Sequence, residues 1–227
     1  MAITADGKIA TANRAISSFG SKRDKAHMFE LRATADAIMA GARTVGSGPI
    51  TMGPGPSQYR RQRIRRGLAE YNLRIIATRS GTVNIDAEIF KHRFSPIIVL
   101  TTRRADEDRL KQLRAVADEV KICGTSEIDF EQAFRWLWKE RGVRRLLCEG
   151  GGDLNDALFR AGLVNELHLT VCPKMFGGIR APTIAEGLGV LKLAKATVLT
   201  LKSMKRIGDE LFVVYRVVGA PASGPAR

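Results

Sequence analysis

Apolar residues fall in short blocks along the chain, separated by polar and glycine-rich stretches. The blocks Ala37–Ala40, Leu73–Thr78, Pro96–Thr101, Glu119–Cys123, Arg144–Glu149, Glu166–Cys172, Thr197–Met204 and Leu211–Val218 read as strands. Ile75-Ile76-Ala77 and Ile97-Ile98-Val99-Leu100 have no polar alternation, as expected of strands covered on both faces by helices. A first helix should run from Ser21, which forms a capping-box pattern with Asp24, to near Ala35. A second should span Asp106 to Ala117. A third should span Asp129 to Arg141, where Phe130, Ala133, Phe134 and Leu137 recur at helical spacing. A fourth opens at the glycines of 150–152 and carries Leu154, Ala157, Leu158 and Ala161 on one face.

Strands alternating with helices predict an α/β fold built on a mostly parallel sheet. Residues 197–204 and 209–218 flank a short turn containing Gly208, so an antiparallel hairpin should close one sheet edge and make the sheet mixed. No repeat or low-complexity block divides the chain. Residues 1–218 therefore read as one domain, and 219–227 as an unstructured tail.

With 227 residues, 44% of them hydrophobic, a core can form without disulfides or a structural metal. No apolar run approaches the roughly 20 residues of a membrane helix, and the start lacks the charged flank and apolar core of a signal peptide. The expectation is a soluble, cytoplasmic protein. Cys123, Cys148 and Cys172 are widely spaced and read as buried thiols. Against 23 acidic residues stand 37 Lys and Arg, a net charge of +14 that admits nucleic acid, anionic lipid or a phosphorylated small molecule as partner.

The strongest local signal is Arg-Arg-Leu-Leu-Cys-Glu-Gly-Gly-Gly-Asp-Leu-Asn at 144–155, a strand, three glycines and an amphipathic helix. Glycines there let backbone N–H groups approach an anion at a helix N-terminus. A plain tight strand-to-helix connection is the alternative. The stretch is neither G-x-G-x-x-G nor G-K-[ST], so it indicates neither a Rossmann turn nor a nucleotide-hydrolysing loop. Glu149 stands at the carboxyl end of the strand, where open α/β sheets bind ligands; it is a polar anchor or a loop cap. A second glycine turn at Gly41, with Arg43 and Thr44 after it, could hold another phosphate or a ribose.

Arg60, Arg61, Arg63, Arg65 and Arg66 crowd into seven residues, with no acid between Asp36 and Glu70. A solvated loop, a substrate-phosphate contact and a nucleic-acid patch with Tyr59 as its stacking residue all remain open. His27, His92 and His168 lack ligand spacing, and no metal site is predicted. Trp136 and Trp138 read as core or interface. Strand 166–172 and the C-terminal strands could pair subunits.

Three segments together carry a family resemblance: Ala-Asp-Gly-Lys-Ile-Ala at 5–10, Leu-Arg-Ala through Gly-x-x-Thr-Val at 31–45, and Glu-Gly-Gly-Gly through Pro-Lys-Met-Phe-Gly-Gly at 149–178. In order and spacing they resemble the riboflavin-biosynthesis pyrimidine reductases, the RibD C-terminal reductase family, whose fold is that of dihydrofolate reductase. The resemblance implies NADPH-dependent reduction of a ribosylamino-pyrimidine 5′-phosphate to its ribitylamino form, by a homodimer. It assigns cofactor contact to Ala2, Gly41, Thr44, Val45, Gly150, Gly151, Gly152 and Asp153. It assigns substrate contact to Arg32, Glu149 and Ser17 or Ser18, with Glu149 also as the catalytic carboxylate.

Thr78, Arg79 and Ser80 end a strand where the family receives the adenosine side of the cofactor, and Arg79 there could read a 2′-phosphate. Asp6 matches a family position, yet Asp-Gly is a turn signal in its own right. Two departures stand out. The family follows Gly-x-x-Thr-Val with an Asp-Asp-Pro step and then Leu-Thr and a basic residue, where this chain reads Gly-Ser-Gly-Pro-Ile-Thr-Met-Gly at 46–53. The family's first strand also begins before the point matching Met1, so the true start is expected upstream. A pterin or another small imine or carbonyl substrate, and a catalytically silent fold that binds nucleotide or nucleic acid, are the alternative readings.

Overall fold

The computed structural model describes residues 1–14 and 19–219; Ser17 and Ser18 lie outside them. In chain order the elements are β1 (Ala2–Thr4), α1 (Lys22–Arg32), β2 (Ala37–Gly41), α2 (Ala42–Gly46), α3 (Ser57–Arg65), β3 (Leu73–Ala77), α4 (Glu88–Lys91), β4 (Ile97–Thr101), α5 (Glu107–Val116), β5 (Glu119–Ile122), α6 (Phe130–Arg141), β6 (Leu146–Cys148), α7 (Gly152–Arg160), β7 (Glu166–Cys172), β8 (Leu199–Ile207) and β9 (Glu210–Val217). The chain divides into two compact units, 26–150 and 1–25 with 151–227.

In the unit of residues 26–150 the strands form a parallel sheet of order β5-β4-β3-β2-β6. Ile38, Ala40, Ile76, Ile97 and Val99 enter one core cluster, joined by Val45, Met52, Ile89 and Leu113. Residues that alternate with them, Met39, Ile75, Ile98 and Leu100, are buried as well. Burial on both faces accounts for the unbroken apolar runs. Asp106 and Asp129 cap α5 and α6 by accepting from the backbone N–H groups of Arg109 and Gln132, and Gly142 ends α6 in the left-handed conformation, φ 64°. The chain passes outward from β2 to β5 and then returns to add β6 on the other side of β2. The order therefore reverses between β2 and β6, and the carboxyl ends of those two strands form the switch point where open α/β sheets hold ligands.

The arginine stretch is helix α3, not a loop. Its buried positions are Tyr59 and Arg63, so no apolar period marks it. Tyr59 packs on Phe29 of α1 with ring centroids 5.4 Å apart, which removes it as a base-stacking residue. Helix α1 stops at Arg32, short of the Ala35 expected, and Thr34 closes the turn by donating its hydroxyl to Leu31 O at 2.7 Å. A second fully buried arginine, Arg74 of β3, lies over the Phe94 ring at 4.2 Å. It donates to Ser95 Oγ, Ser95 O, Ile89 O and Thr51 O. Burial lowers its pKa to about 10, which leaves the guanidinium charged at neutral pH.

In the other unit β7 pairs in parallel with β1 and antiparallel with β9, and β9 pairs with β8 across a turn at Gly208, φ 61°. The expected hairpin and mixed pairing are here, but in a four-stranded sheet of their own, of order β1-β7-β9-β8, and not at an edge of the parallel one. Strand β8 is the sheet edge and is exposed along nearly its whole length. Asp6 accepts from Thr4 Oγ1 at 2.5 Å, Gly177 N at 2.7 Å and Phe176 N at 3.2 Å. Its carboxylate ties the turn after β1 to the loop after β7, and these bonds hold its pKa below the ordinary value. Cys123 and Cys172 are buried thiols as expected, while the Cys148 thiol belongs to a half-buried residue. Trp138 is exposed rather than core, while Trp136 lies under the cations of Lys121 and Arg141. Among the described residues no helix is long and apolar enough to cross a membrane.

Candidate active site

Strand β6 ends at Cys148, so Glu149 is the first residue past the sheet at the switch point. Its backbone N–H remains on the ladder, donating to Met39 O at 2.8 Å. Its carboxylate meets Arg32 in a two-pronged contact, Nε to Oε1 and Nη2 to Oε2, both 2.6 Å. The side chains are only 8% and 18% exposed. A fork-to-fork pair of this kind fixes direction as well as distance. Each carboxylate oxygen keeps lone-pair capacity beyond its Arg32 bond, so Glu149 can still accept a hydroxyl. Two residues 117 positions apart, both singled out from the sequence, thus form one group.

The third prong of Arg32, Nη1, donates to Gly53 O at 2.6 Å. Gly53 follows Met52, which is fully buried and has φ 56°, a backbone region that non-glycine residues seldom occupy. The Met52 side chain is locked in the core cluster, and Arg74 holds Thr51 O just before it. The 46–53 segment therefore turns a backbone carbonyl toward Arg32.

Beside Glu149, Gly41 at the end of β2 donates its N–H to Gly150 O at 2.8 Å, bringing the two glycine turns together. Gly150 has φ 83°, a conformation that favours glycine. Helix α2 begins directly after Gly41 and carries half-buried Thr44. Val45, also expected at the cofactor, is fully buried in the core, backbone included. Past β3, Thr78 donates its hydroxyl to Thr82 O, and Ser80 Oγ bonds Thr82 Oγ1. Exposed Arg79 pairs with exposed Glu127 at 2.7 Å.

Sequence reasoning missed Arg103 and Arg104, both exposed just beyond the carboxyl end of β4, and Arg109 in α5. Thr102 Oγ1 bonds Arg79 O and Arg109 bonds Ser80 O, so these arginines belong to the same rim as Arg79. Applying the strand-end rule to β4 as it was applied to β3 would have found them.

Ala2, Gly151, Gly152 and Asp153 belong to the other unit. Ala2 pairs with Thr170 on β7, Gly151 is the N-cap of α7, and Gly152 and Asp153 form its first turn. A Cβ at Gly152 would lie 2.7 Å from Thr183 O, so the helix start tolerates no side chain there. Within the unit of residues 26–150, the rim of exposed arginines past β3 and β4 fits the phosphates of a cofactor.

Four of the five arginines at 60–66 have partners within the fold. Arg60 bonds Glu70 and Tyr71, Arg61 bonds Ser57, and Arg63 and Arg66 donate to carbonyls at the end of α1.

A parallel sheet with a carboxylate–guanidinium pair and two glycine turns at its switch point defines an α/β protein in the dihydrofolate-reductase-like fold of its structural neighbours. The chain belongs to the RibD C-terminal domain family, whose model matches residues 1–213. A Methanothermobacter thermautotrophicus protein named 2,5-diamino-6-ribosylamino-4(3H)-pyrimidinone 5′-phosphate reductase is 30% identical over 218 residues, covering 96% of each chain. An Aquifex aeolicus protein of the same name is 29% identical over 220 residues, covering 95% of this chain and 93% of its own. The crystal structure of a pyrimidine reductase-like protein from Corynebacterium diphtheriae superposes with a TM-score of 0.76 at 24% identity, over 96% of this chain and 89% of that one.

Because Arg32 and Glu149 are buried as a pair, removing one partner should cost more than removing both. Arg32→Met is expected to lower stability in urea by about 3 kcal/mol. In a double-mutant cycle Glu149→Leu should restore roughly 1–3 kcal/mol of that loss. Additive effects would contradict the pairing.

Proposed function

We propose that this chain is an NADPH-dependent reductase of riboflavin biosynthesis that converts the ribosylamino group of 2,5-diamino-6-ribosylamino-4(3H)-pyrimidinone 5′-phosphate to ribitylamino. The observation that carries the reading is the buried Arg32–Glu149 pair at the switch point, next to the joined turns of Gly41 and Gly150. The names of the two full-length relatives support the pyrimidine that has not been deaminated as substrate.

In this reading Glu149 accepts hydroxyl groups of the ring-opened sugar and relays a proton, directly or through a water. Arg32 keeps that carboxylate in one orientation. Gly41, Thr44 and Gly150 hold the cofactor at the switch point, with Thr78, Arg79 and Ser80 toward its adenosine side. The nicotinamide, when bound, supplies hydride to the sugar C1′. Sequestering the sugar between a fixed carboxylate and a fixed cofactor lowers the entropic part of the barrier.

Glu149→Gln keeps the shape of the side chain and removes its charge. Turnover of the pyrimidine phosphate should fall at least about 100-fold, while NADPH binding followed by fluorescence changes little. Full turnover by that variant would sink the reading. Preference for NADPH over NADH is assigned to the Arg79 rim, where a guanidinium can take a 2′-phosphate in a forked contact. Arg79→Ala is expected to raise Kd for NADPH about tenfold and leave Kd for NADH as it was.

We further read the protein as a homodimer that uses the β8 edge. Leu201 and Met204 on that edge are 58% and 63% exposed, an apolar surface that a second copy would cover. Leu201→Asp with Met204→Asp should halve the mass measured by light scattering. A wild-type protein that already runs as a monomer would rule the dimer out.

A further inference from the structure

The end of α1 is held with more donors than a helix end requires. Its last carbonyls have no partner within the helix. Arg32 O accepts from Arg63 Nη1 at 2.8 Å and from Asn72 Nδ2 at 2.9 Å. Ala35 O accepts from the same two groups, at 2.5 and 2.8 Å. Arg66 adds a bond to Ala33 O at 3.0 Å, and Arg63 Nε is fixed by Ala69 O at 2.8 Å. Arg63 and Asn72 are both fully buried. A cation at this place also meets the negative end of the helix dipole.

Stability alone does not account for the arrangement. Burying a guanidinium is costly, and Arg63 Nη2 and Asn72 Oδ1 are left without partners in the interior, which adds to the cost. One donor per carbonyl would cap the helix. Two donors shared by the same two carbonyls leave the backbone of Arg32 no freedom to shift, and Arg32 is the residue whose side chain meets Glu149 and Gly53 O. A displacement of the Arg32 backbone would be carried directly into the angle of the forked contact.

We propose that Arg63 and Asn72 are positioning residues of the substrate anchor: by gripping the carbonyls of Arg32 and Ala35 they set the orientation in which Arg32 presents Glu149 to the sugar phosphate. The inference rests on the reading of Arg32 and Glu149 as that anchor. It gives the arginine stretch a role in geometry, in place of a direct contact with phosphate or nucleic acid.

The test is steady-state kinetics on the pyrimidine 5′-phosphate with Arg63→Lys, Asn72→Ser and Arg63→Met, with rates referred to folded enzyme and NADPH affinity measured by fluorescence. Arg63→Lys keeps the charge but not the fork, and Asn72→Ser removes one shared donor, so both remain usable if Arg63→Met does not fold. Each is expected to raise KM for the pyrimidine about tenfold or more, with Kd for NADPH within twofold of wild type. A KM equal to wild type in both folded variants, with rate lost only in step with folded protein, would overturn the proposal and leave a structural cap. Glu149→Gln, run in parallel, separates the two levels. If it impairs turnover while Arg63→Lys and Asn72→Ser leave KM unchanged, the positioning role fails alone; if it has no effect, the anchor fails and the positioning role with it.

Discussion

A guanidinium and a carboxylate brought together out of water impose the tightest constraint on this fold. The Arg32–Glu149 contact can repay its desolvation only if both forks are aligned and the remaining polar atoms are satisfied. Its surroundings meet that demand from three directions. Glu149 is kept on the ladder through its bond to Met39 O, Gly53 O takes the free prong of Arg32, and Arg63 with Asn72 fixes the carbonyl of Arg32 itself. The unusual backbone of Met52 is consistent with that demand, since it sits just before the carbonyl that Arg32 needs.

Location gives the pair its chemical meaning. Glu149 lies where β6 returns beside β2, so a fixed charge stands at the sheet edge where open α/β folds bind ligands. The two glycine turns joined by the Gly41 to Gly150 bond open the same edge to a close backbone approach. Farther along the edge the arginines after β3 and β4 supply positive charge on flexible, exposed side chains. Rigid buried charge thus stands at one end of the edge and adaptable surface charge at the other.

The net charge of +14 takes on a different aspect in this light. Arg32, Arg63 and Arg74 are buried, and their guanidinium groups face carbonyls or a carboxylate within the fold. Part of the positive surplus is internal fastening and has no external partner. Strand identity was legible because burial on both faces leaves apolar runs such as Ile97 to Leu100 without alternation, and the hairpin was legible from Gly208. Glu149 and Gly41 could be found because strand ends are visible in sequence. Helix α3 was not, because it docks through Tyr59 and Arg63, and a buried arginine looks like a surface residue until its carbonyl partners are known. The contact between Gly53 O and Arg32 was equally hidden, since a backbone acceptor leaves no trace in side-chain chemistry.

The central claim, that the switch-point anchor presents a sugar phosphate for reduction, is tested most directly by following label into product. The protein should be incubated with 2,5-diamino-6-ribosylamino-4(3H)-pyrimidinone 5′-phosphate and NADPH deuterated at the transferable nicotinamide position, and the product examined by mass spectrometry and NMR. One deuterium at C1′ of a ribitylamino product, lost when Glu149 is replaced by Gln, is the predicted result. Bound substrate that gains no label, or label transfer that is indifferent to Glu149, would contradict it.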